Sequence, residues 1–261
     1  MEDNWRFIDT DSCSASYNMA LDEAIATTVR KGSSPPTLRL YGWNVPSVSI
    51  GYFQKVRDID FDYCIEKSIP IVRRPTGGRA ILHNNEITYS FSVKTGDGIF
   101  SKGLLDSYRR ISAAFVLALS KIGLSPELKL IRETRRTKSP LCFKSVSYGE
   151  ITIDNKKIIG SAQKRWSDGL LQQGSIPCII DRDEMAKVFR LQSSVVVENI
   201  IGLQEILYSL NHKDLKNAIR VSFEEIFNMK LIPSPPSREE ISLAEELETM
   251  KYLSTQWNFQ R

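Results

Sequence analysis

Ile71-Val72-Arg73-Arg74-Pro75-Thr76-Gly77-Gly78-Arg79-Ala80-Ile81-Leu82-His83 sets two arginines, a proline-led turn and a glycine pair between two apolar stretches that read as β-strands. A glycine pair at a strand-to-strand turn lets the backbone approach a ligand closely and aim its N–H groups at it. The flanking arginines add charge suited to phosphate or carboxylate. An ordinary hairpin turn with basic edges satisfies the same pattern, because glycine turns are common. The surrounding segments have to decide between the two.

Working outward, strands and helices separate along the chain. Ser16 reads as the N-cap of a helix through about Arg30, with Ala20, Leu21, Ala24, Ile25 and Val29 on one face and Gly32 closing it. Thr37–Tyr41 and Ser47–Tyr52 alternate as strands, and a short helix over Asp60–Lys67 leads into Ile69–Arg73. Beyond the glycine pair come Ala80–His83, a turn at Asn84-Asn85, and the strand Ile87–Val93. Leu104, Tyr108, Ile111, Phe115, Leu119 and Ile122 share a helical face that Gly123 ends.

Lys129–Pro140 reads as a long basic loop. A hairpin follows, Ser147–Ile153 and Lys157–Ala162 about the turn Asp154-Asn155, and then a strand over Leu170–Ile180. The remainder is mostly helical, over Arg182–Phe189, Asp214–Phe227 and a last helix opened by the capping-box pattern Ser237-Arg238-Glu239-Glu240. Pro233–Pro236 reads as a connector. Strands in the middle and helices around them predict an α+β fold, a mixed or antiparallel central sheet flanked by helices. The expected organisation is a single domain over 1–261, with a C-terminal helical portion from about 182 packed on it.

Composition excludes several classes. The 261 residues are 41% hydrophobic and 25% charged, enough for a sizeable core. No apolar run approaches the roughly 20 residues that span a bilayer, so no membrane association is expected. Met1-Glu2-Asp3-Asn4-Trp5 lacks the basic and apolar regions of a signal peptide, and the expectation is a cytoplasmic protein. The formal net charge of +4 is spread among acids, which does not describe a nucleic-acid binder but suits acidic partners. Cys13, Cys64, Cys142 and Cys178 are scattered, and only His83 and His212 could join them, so no metal site is expected.

Three segments stand out chemically. The Arg-Arg-Pro-Thr-Gly-Gly turn is one. In Lys156-Lys157-Ile158-Ile159-Gly160-Ser161-Ala162-Gln163, a lysine enters a strand of small residues that leave room against a sheet. In Leu171-Gln172-Gln173-Gly174-Ser175-Ile176, a polar interruption predicts a bulge or the approach of a ligand. Lys157 by itself also reads as a solvated hairpin lysine, and Cys142 as a packed thiol. A reactive Cys142 needs a nearby cation to hold its thiolate, yet folding about Asp154-Asn155 puts Lys157 opposite Thr152. His83 suits a base, a substrate contact or a structural turn. No nucleophile elbow, P-loop or dinucleotide fingerprint occurs.

The chain resembles the lipoate–protein ligase and octanoyltransferase superfamily, whose catalytic domain is shared with biotin protein ligases. The resemblance runs through Tyr17-Asn18-Met19-Ala20-Leu21-Asp22-Glu23-Ala24, Pro36–Trp43, Ser49–Gln54, Arg73–Ala80 with His83, Gly160–Gln163, Gly174-Ser175 and Trp257-Asn258. It implies the biotin/lipoate protein ligase catalytic-domain fold. It also implies a substrate site built from Arg73, Arg74, Thr76, Gly77, Gly78, Arg79 and His83 on one side. Gly160, Ser161, Ala162, Gln173, Gly174 and Ser175 would complete it.

Two chemistries divide the superfamily. Octanoyltransferases take octanoate from acyl carrier protein onto a cysteine and pass it to a lysine of a lipoyl domain, with no cofactor. Ligases activate free lipoate with ATP and magnesium through lipoyl-AMP. Arg79, where ligases more often have a third glycine, and Leu141-Cys142-Phe143 followed by Tyr148 resemble the Gram-positive transferase branch. The resemblance then makes Cys142 the nucleophile and Lys157 the residue that lowers its pKa and orients the carbonyl. Acceptors in this scheme are lipoyl-domain proteins such as glycine cleavage H protein or 2-oxoacid dehydrogenase E2 subunits. In the ligase alternative, Arg73 and Arg74 would face phosphates and Lys157 the adenylate carbonyl. A non-catalytic acyl-binding protein is a third reading. Gln173 replaces the family's histidine before Gly-Ser, and Val146 stands where proline is common.

Overall fold

The computed structural model describes residues 4–96, 98–129, 149–191 and 199–260. In chain order the elements are β1 (Trp5–Cys13), α1 (Ala15–Lys31), β2 (Thr37–Trp43), β3 (Ser47–Ile50), α2 (Phe61–Glu66), β4 (Ile71–Arg73), β5 (Ile81–His83), β6 (Glu86–Lys94), α3 (Leu104–Lys121) and β7 (Glu127–Lys129). There follow β8 (Glu150–Ile153), β9 (Lys156–Arg165), β10 (Gly169–Pro177), α4 (Arg182–Val188), α5 (Leu203–Ile206), α6 (His212–Phe227), β11 (Leu231–Pro233), α7 (Arg238–Leu247) and α8 (Thr255–Asn258). The expected α+β class is what forms: a mixed eight-stranded sheet in the order β11-β1-β2-β6-β10-β9-β8-β7, and a three-stranded sheet β4-β3-β5. β1 runs parallel to both β2 and β11, and β3 runs parallel to β4.

Alternation along the strands gives the large sheet two unlike faces. Leu38, Leu40, Tyr89, Phe91, Val93, Leu170 and Ile176 pack with Phe115, Phe223 and Phe227 of α3 and α6 into the main core. The intervening residues are largely polar and buried: Arg39, Thr88, Ser90, Ser92, Gln173 and Ser175. They face α1, which packs on this side together with α7. A sheet face rich in hydroxyls and amides under a helix needs partners for each buried group. That requirement shapes the site.

Some expectations change. Ser14 caps α1, its hydroxyl accepting from the Tyr17 N–H at 3.2 Å in an extended conformation, while Ser16 sits in the first turn and donates to Glu248 at 2.5 Å. Gly32, at φ 87°, closes the helix as expected. No bulge occurs at Gln172-Gln173-Gly174. β10 pairs with β6 in one register from Gly169 opposite Lys94 to Pro177 opposite Glu86. Gly174 is instead required by packing, because a Cβ there would lie 2.2 Å from Tyr89 Cε1. β1 and β11 carry no strong local signal, and their parallel pairing arises only once the sheet assembles. The turn Asp154-Asn155, with φ 48° and 61°, does place Lys157 opposite Thr152.

Candidate functional site

A pocket of about 330 Å³ opens between the polar face of the large sheet and the small sheet. β9 and β10 contribute Gly160, Ser161, Ala162, Gln173, Gly174 and Ser175. The small sheet and its turn contribute Ser49, Arg74, Ile81 and His83, and α1 contributes Met19. Tyr41, Trp43 and Thr88 complete the lining. The small residues of β9 thus stand against the space their size predicted.

Arg74 shapes the glycine turn. Its guanidinium donates to the Gly77 carbonyl at 2.7 Å and the Arg79 carbonyl at 2.7 Å. It also reaches the Ser49 carbonyl at 3.1 Å and hydroxyl at 3.0 Å. The Ser49 hydroxyl meets His83 Nε2 at 2.7 Å, and His83 Nδ1 meets Glu86 Oε1 at 2.8 Å. Glu86 offers only acceptor oxygens, so His83 Nδ1 carries a proton toward it. Glu86 also accepts from the hydroxyls of Thr88 and Ser175. Trp43 stacks on His83 at 3.9 Å and donates its indole N–H to Thr88 at 2.7 Å.

A second network holds α1 on the sheet. Asp22, fully buried, accepts from Arg39 at 2.7 Å, Ser90 at 2.6 Å, Tyr41 at 2.8 Å and Gln173 at 2.7 Å. Burial pushes the Tyr41 phenol well above its ordinary value and Asp22 adds to the shift, so it stays a donor. Thr76 donates to Gln173 Oε1 at 2.9 Å. The glycine turn is therefore tied through Gln173 to α1.

Not every candidate reaches the pocket. Arg73 is fully enclosed and donates to the carbonyls of Gly51, Tyr52, Gln54, Trp257 and Asn258. It clamps a loop and the C-terminal helix together, which corrects the reading of Arg73 facing a ligand's phosphates. Gly77, Gly78 and Arg79 form the turn that Arg74 grips, and Gly78 adopts φ 85°. Lys157 is 4% exposed, so the solvated-lysine reading does not hold. Its ammonium donates to Glu150 at 2.5 Å. It lies at the start of β9, three residues before Gly160. Cys142, Val146 and Tyr148 lie outside the described residues. The sequence reading passed over Met19, Tyr41, Trp43, Ser49, Ile81, Thr88 and Glu86. The polar alternation Thr88-Ser90-Ser92 in a buried strand was the available signal.

Among the described residues no group of three or more His, Cys, Asp or Glu side chains could hold a metal ion. No helix among them is long and apolar enough to cross a membrane.

Comparison with known proteins bears on the fold and the family. An octanoyltransferase LipM of Geobacillus kaustophilus is 36% identical, covering 98% of this chain and 98% of its own. The crystal structure of a lipoate-protein ligase A bound with ATP superposes with a TM-score of 0.84 at 25% identity, covering 99% of each chain. A protein from T. acidophilum with bound lipoic acid superposes with a TM-score of 0.83 at 25% identity over the whole of both chains. The family model of the lipoyl protein ligase A/B catalytic domain matches residues 14–224. The chain belongs to the lipoyl protein ligase A/B catalytic domain family.

Proposed function

We propose that this protein is an octanoyltransferase of lipoate biosynthesis, acting as one catalytic unit in the cytoplasm. The Cys142 thiolate attacks the carbonyl of octanoyl-acyl carrier protein, forming the acyl-cysteine thioester and expelling the carrier as its thiolate. The ε-amine of a lipoyl-domain lysine then attacks the Cys142 thioester, forming the amide and returning the cysteine. Lys157 stabilises the thiolate and orients the carbonyl, while the pocket holds the chain. No cofactor takes part.

The observation that carries this reading is the pocket, walled by small residues of β9 and β10 and flanked by Arg74, which grips the glycine turn. Its lining combines apolar and aromatic side chains with a few convergent polar groups, as a site for one acyl chain requires. Relatives named octanoyltransferase that match over the full length support the same chemistry. Cys142 is assigned from the Leu141-Cys142-Phe143 segment. The solved ligase with ATP supports a second reading, in which free lipoate is activated with ATP and magnesium.

Intact mass after incubation with octanoyl-acyl carrier protein tests the choice. An octanoyl adduct abolished by Cys142→Ala is expected. An adduct that survives the substitution sinks the Cys142 assignment. Transfer that requires ATP and free acid and ignores Cys142 selects the ligase.

A further inference from the structure

The structure gives Gln173, midway along β10, two obligations. Its amide nitrogen donates to Asp22 Oδ2 at 2.7 Å and touches Met19 Sδ at 3.5 Å. Its amide oxygen accepts the Thr76 hydroxyl at 2.9 Å. Thr76 is fully buried, and its carbonyl in turn accepts the Tyr52 N–H at 2.9 Å. Asp22 cannot shift, because Arg39, Ser90 and Tyr41 hold it and Arg39 is itself anchored on Asn18 Oδ1 at 2.7 Å. Gln173 therefore ties the glycine turn to a rigid base, and Gln173 and Arg74 both line the pocket that lies beside the turn.

We infer that Gln173 is a positioning residue that sets the seat of the glycine turn, and with it Arg74, beside the acyl pocket, and that it does so without taking part in proton traffic. The inference rests on the acyl-pocket reading above. The place demands a donor toward Asp22 and an acceptor toward Thr76. An amide supplies both at any pH. A neutral imidazole supplies both as well, but a protonated one has only donors, and the buried Thr76 proton then loses its acceptor. A carboxyl group meets the demand only when protonated, since an ionised one would face Asp22 with no proton between them. Other charged or titratable groups nearby are Arg39 and Tyr41 on β2, and Arg74, His83 and Glu86 across the pocket. They are common to all variants, so the ratio of variant to wild type isolates position 173.

The test is octanoate binding by calorimetry at about pH 5.5 and about pH 9, with thermal melts establishing that each protein is folded. Gln173→His should bind within about twofold of wild type at the higher pH and about fivefold or more weakly at the lower. Gln173→Glu should show the opposite dependence. Gln173→Leu should bind weakly at both. A protein that merely lost stability would not give opposite pH signatures in two variants of one residue. Equal ratios at both pH values for Gln173→His and Gln173→Glu overturn the inference, as does wild-type affinity in Gln173→Leu. Failure of the wild type itself to bind octanoate removes the pocket reading, and the inference with it.

Discussion

The backbone N–H of Arg73 donates to Asn258 Oδ1 at 2.8 Å, joining positions 185 apart in sequence. The Asn258 side-chain nitrogen donates to the Tyr252 carbonyl at 2.8 Å, and the Trp257 indole donates to the Arg73 carbonyl at 2.9 Å. The C-terminal helix α8 is thereby bound to β4, the strand that leads into the pocket turn. Arg73→Lys keeps the charge but cannot span the five carbonyls its guanidinium serves. It should cost about 2–4 kcal/mol, read as a lower urea midpoint. Octanoate affinity of the folded variant should be unchanged. A stable variant that fails to bind would return Arg73 to the ligand.

Gly51 faces the pocket turn with no room for a side chain. A Cβ there would lie 2.0 Å from the Gly78 carbonyl oxygen and 2.7 Å from its carbon. Gly51→Ala should displace the turn, weaken the Thr76–Gln173 bond and reduce octanoate affinity by about tenfold or more. Gly77→Ala is the contrast, since a Cβ at Gly77 meets nothing within 4 Å. It should melt at the wild-type temperature. Equal thermal stability and affinity in Gly51→Ala would refute the crowding argument.

Glu240 links stability to pH. Burial by itself would raise its carboxyl, but donors from Arg6, the Ser237 N–H and Thr28 hold it at about 2 against an ordinary 4.5. Its folded pKa lies below its unfolded one, so the stabilisation is complete above about pH 5 and is lost as pH falls toward 2. A shift of that size corresponds to about 3 kcal/mol. Urea midpoints should fall steeply between about pH 5 and pH 3 in the wild type. Glu240→Gln should be weaker at neutral pH and shallower over this window. An unchanged slope would place the acid sensitivity elsewhere.

Two cysteines should be silent in the native protein. Burial pushes the Cys64 thiol up to about 11, and burial with Glu86 pushes Cys178 up to about 12. At about pH 8 both stay protonated and enclosed. Iodoacetamide followed by peptide mass spectrometry should modify them only after unfolding. Native labelling of either would contradict the burial of Cys64 in α2 and of Cys178 just after β10.

Local chemistry was legible wherever it was self-contained. The helical period of Ala20–Val29 with Gly32 after it, the face from Leu104 to Ile122, and the Asp154-Asn155 turn with its Thr152–Lys157 register all follow from propensity, turn type and period. So did the small residues Gly160-Ser161-Ala162, whose size has meaning wherever a strand meets a ligand.

The tertiary structure decided what neighbouring residues do. Arg73 and Arg74 are adjacent and alike in sequence, yet one grips the C-terminal helix and the other grips the pocket turn. Gln173 read as an interruption and proved to be a regular strand residue with both ends of its amide engaged. Glu86, between the Asn84-Asn85 turn and the strand from Ile87, carries no signal in sequence, yet it organises His83, Thr88 and Ser175. The physical reason is common to all three. Strand side chains alternate between faces, and a polar residue's role depends on which face is covered and by what. Sequence sets the alternation, but only assembly of the two sheets with α1 and α8 determines the occupant of each face.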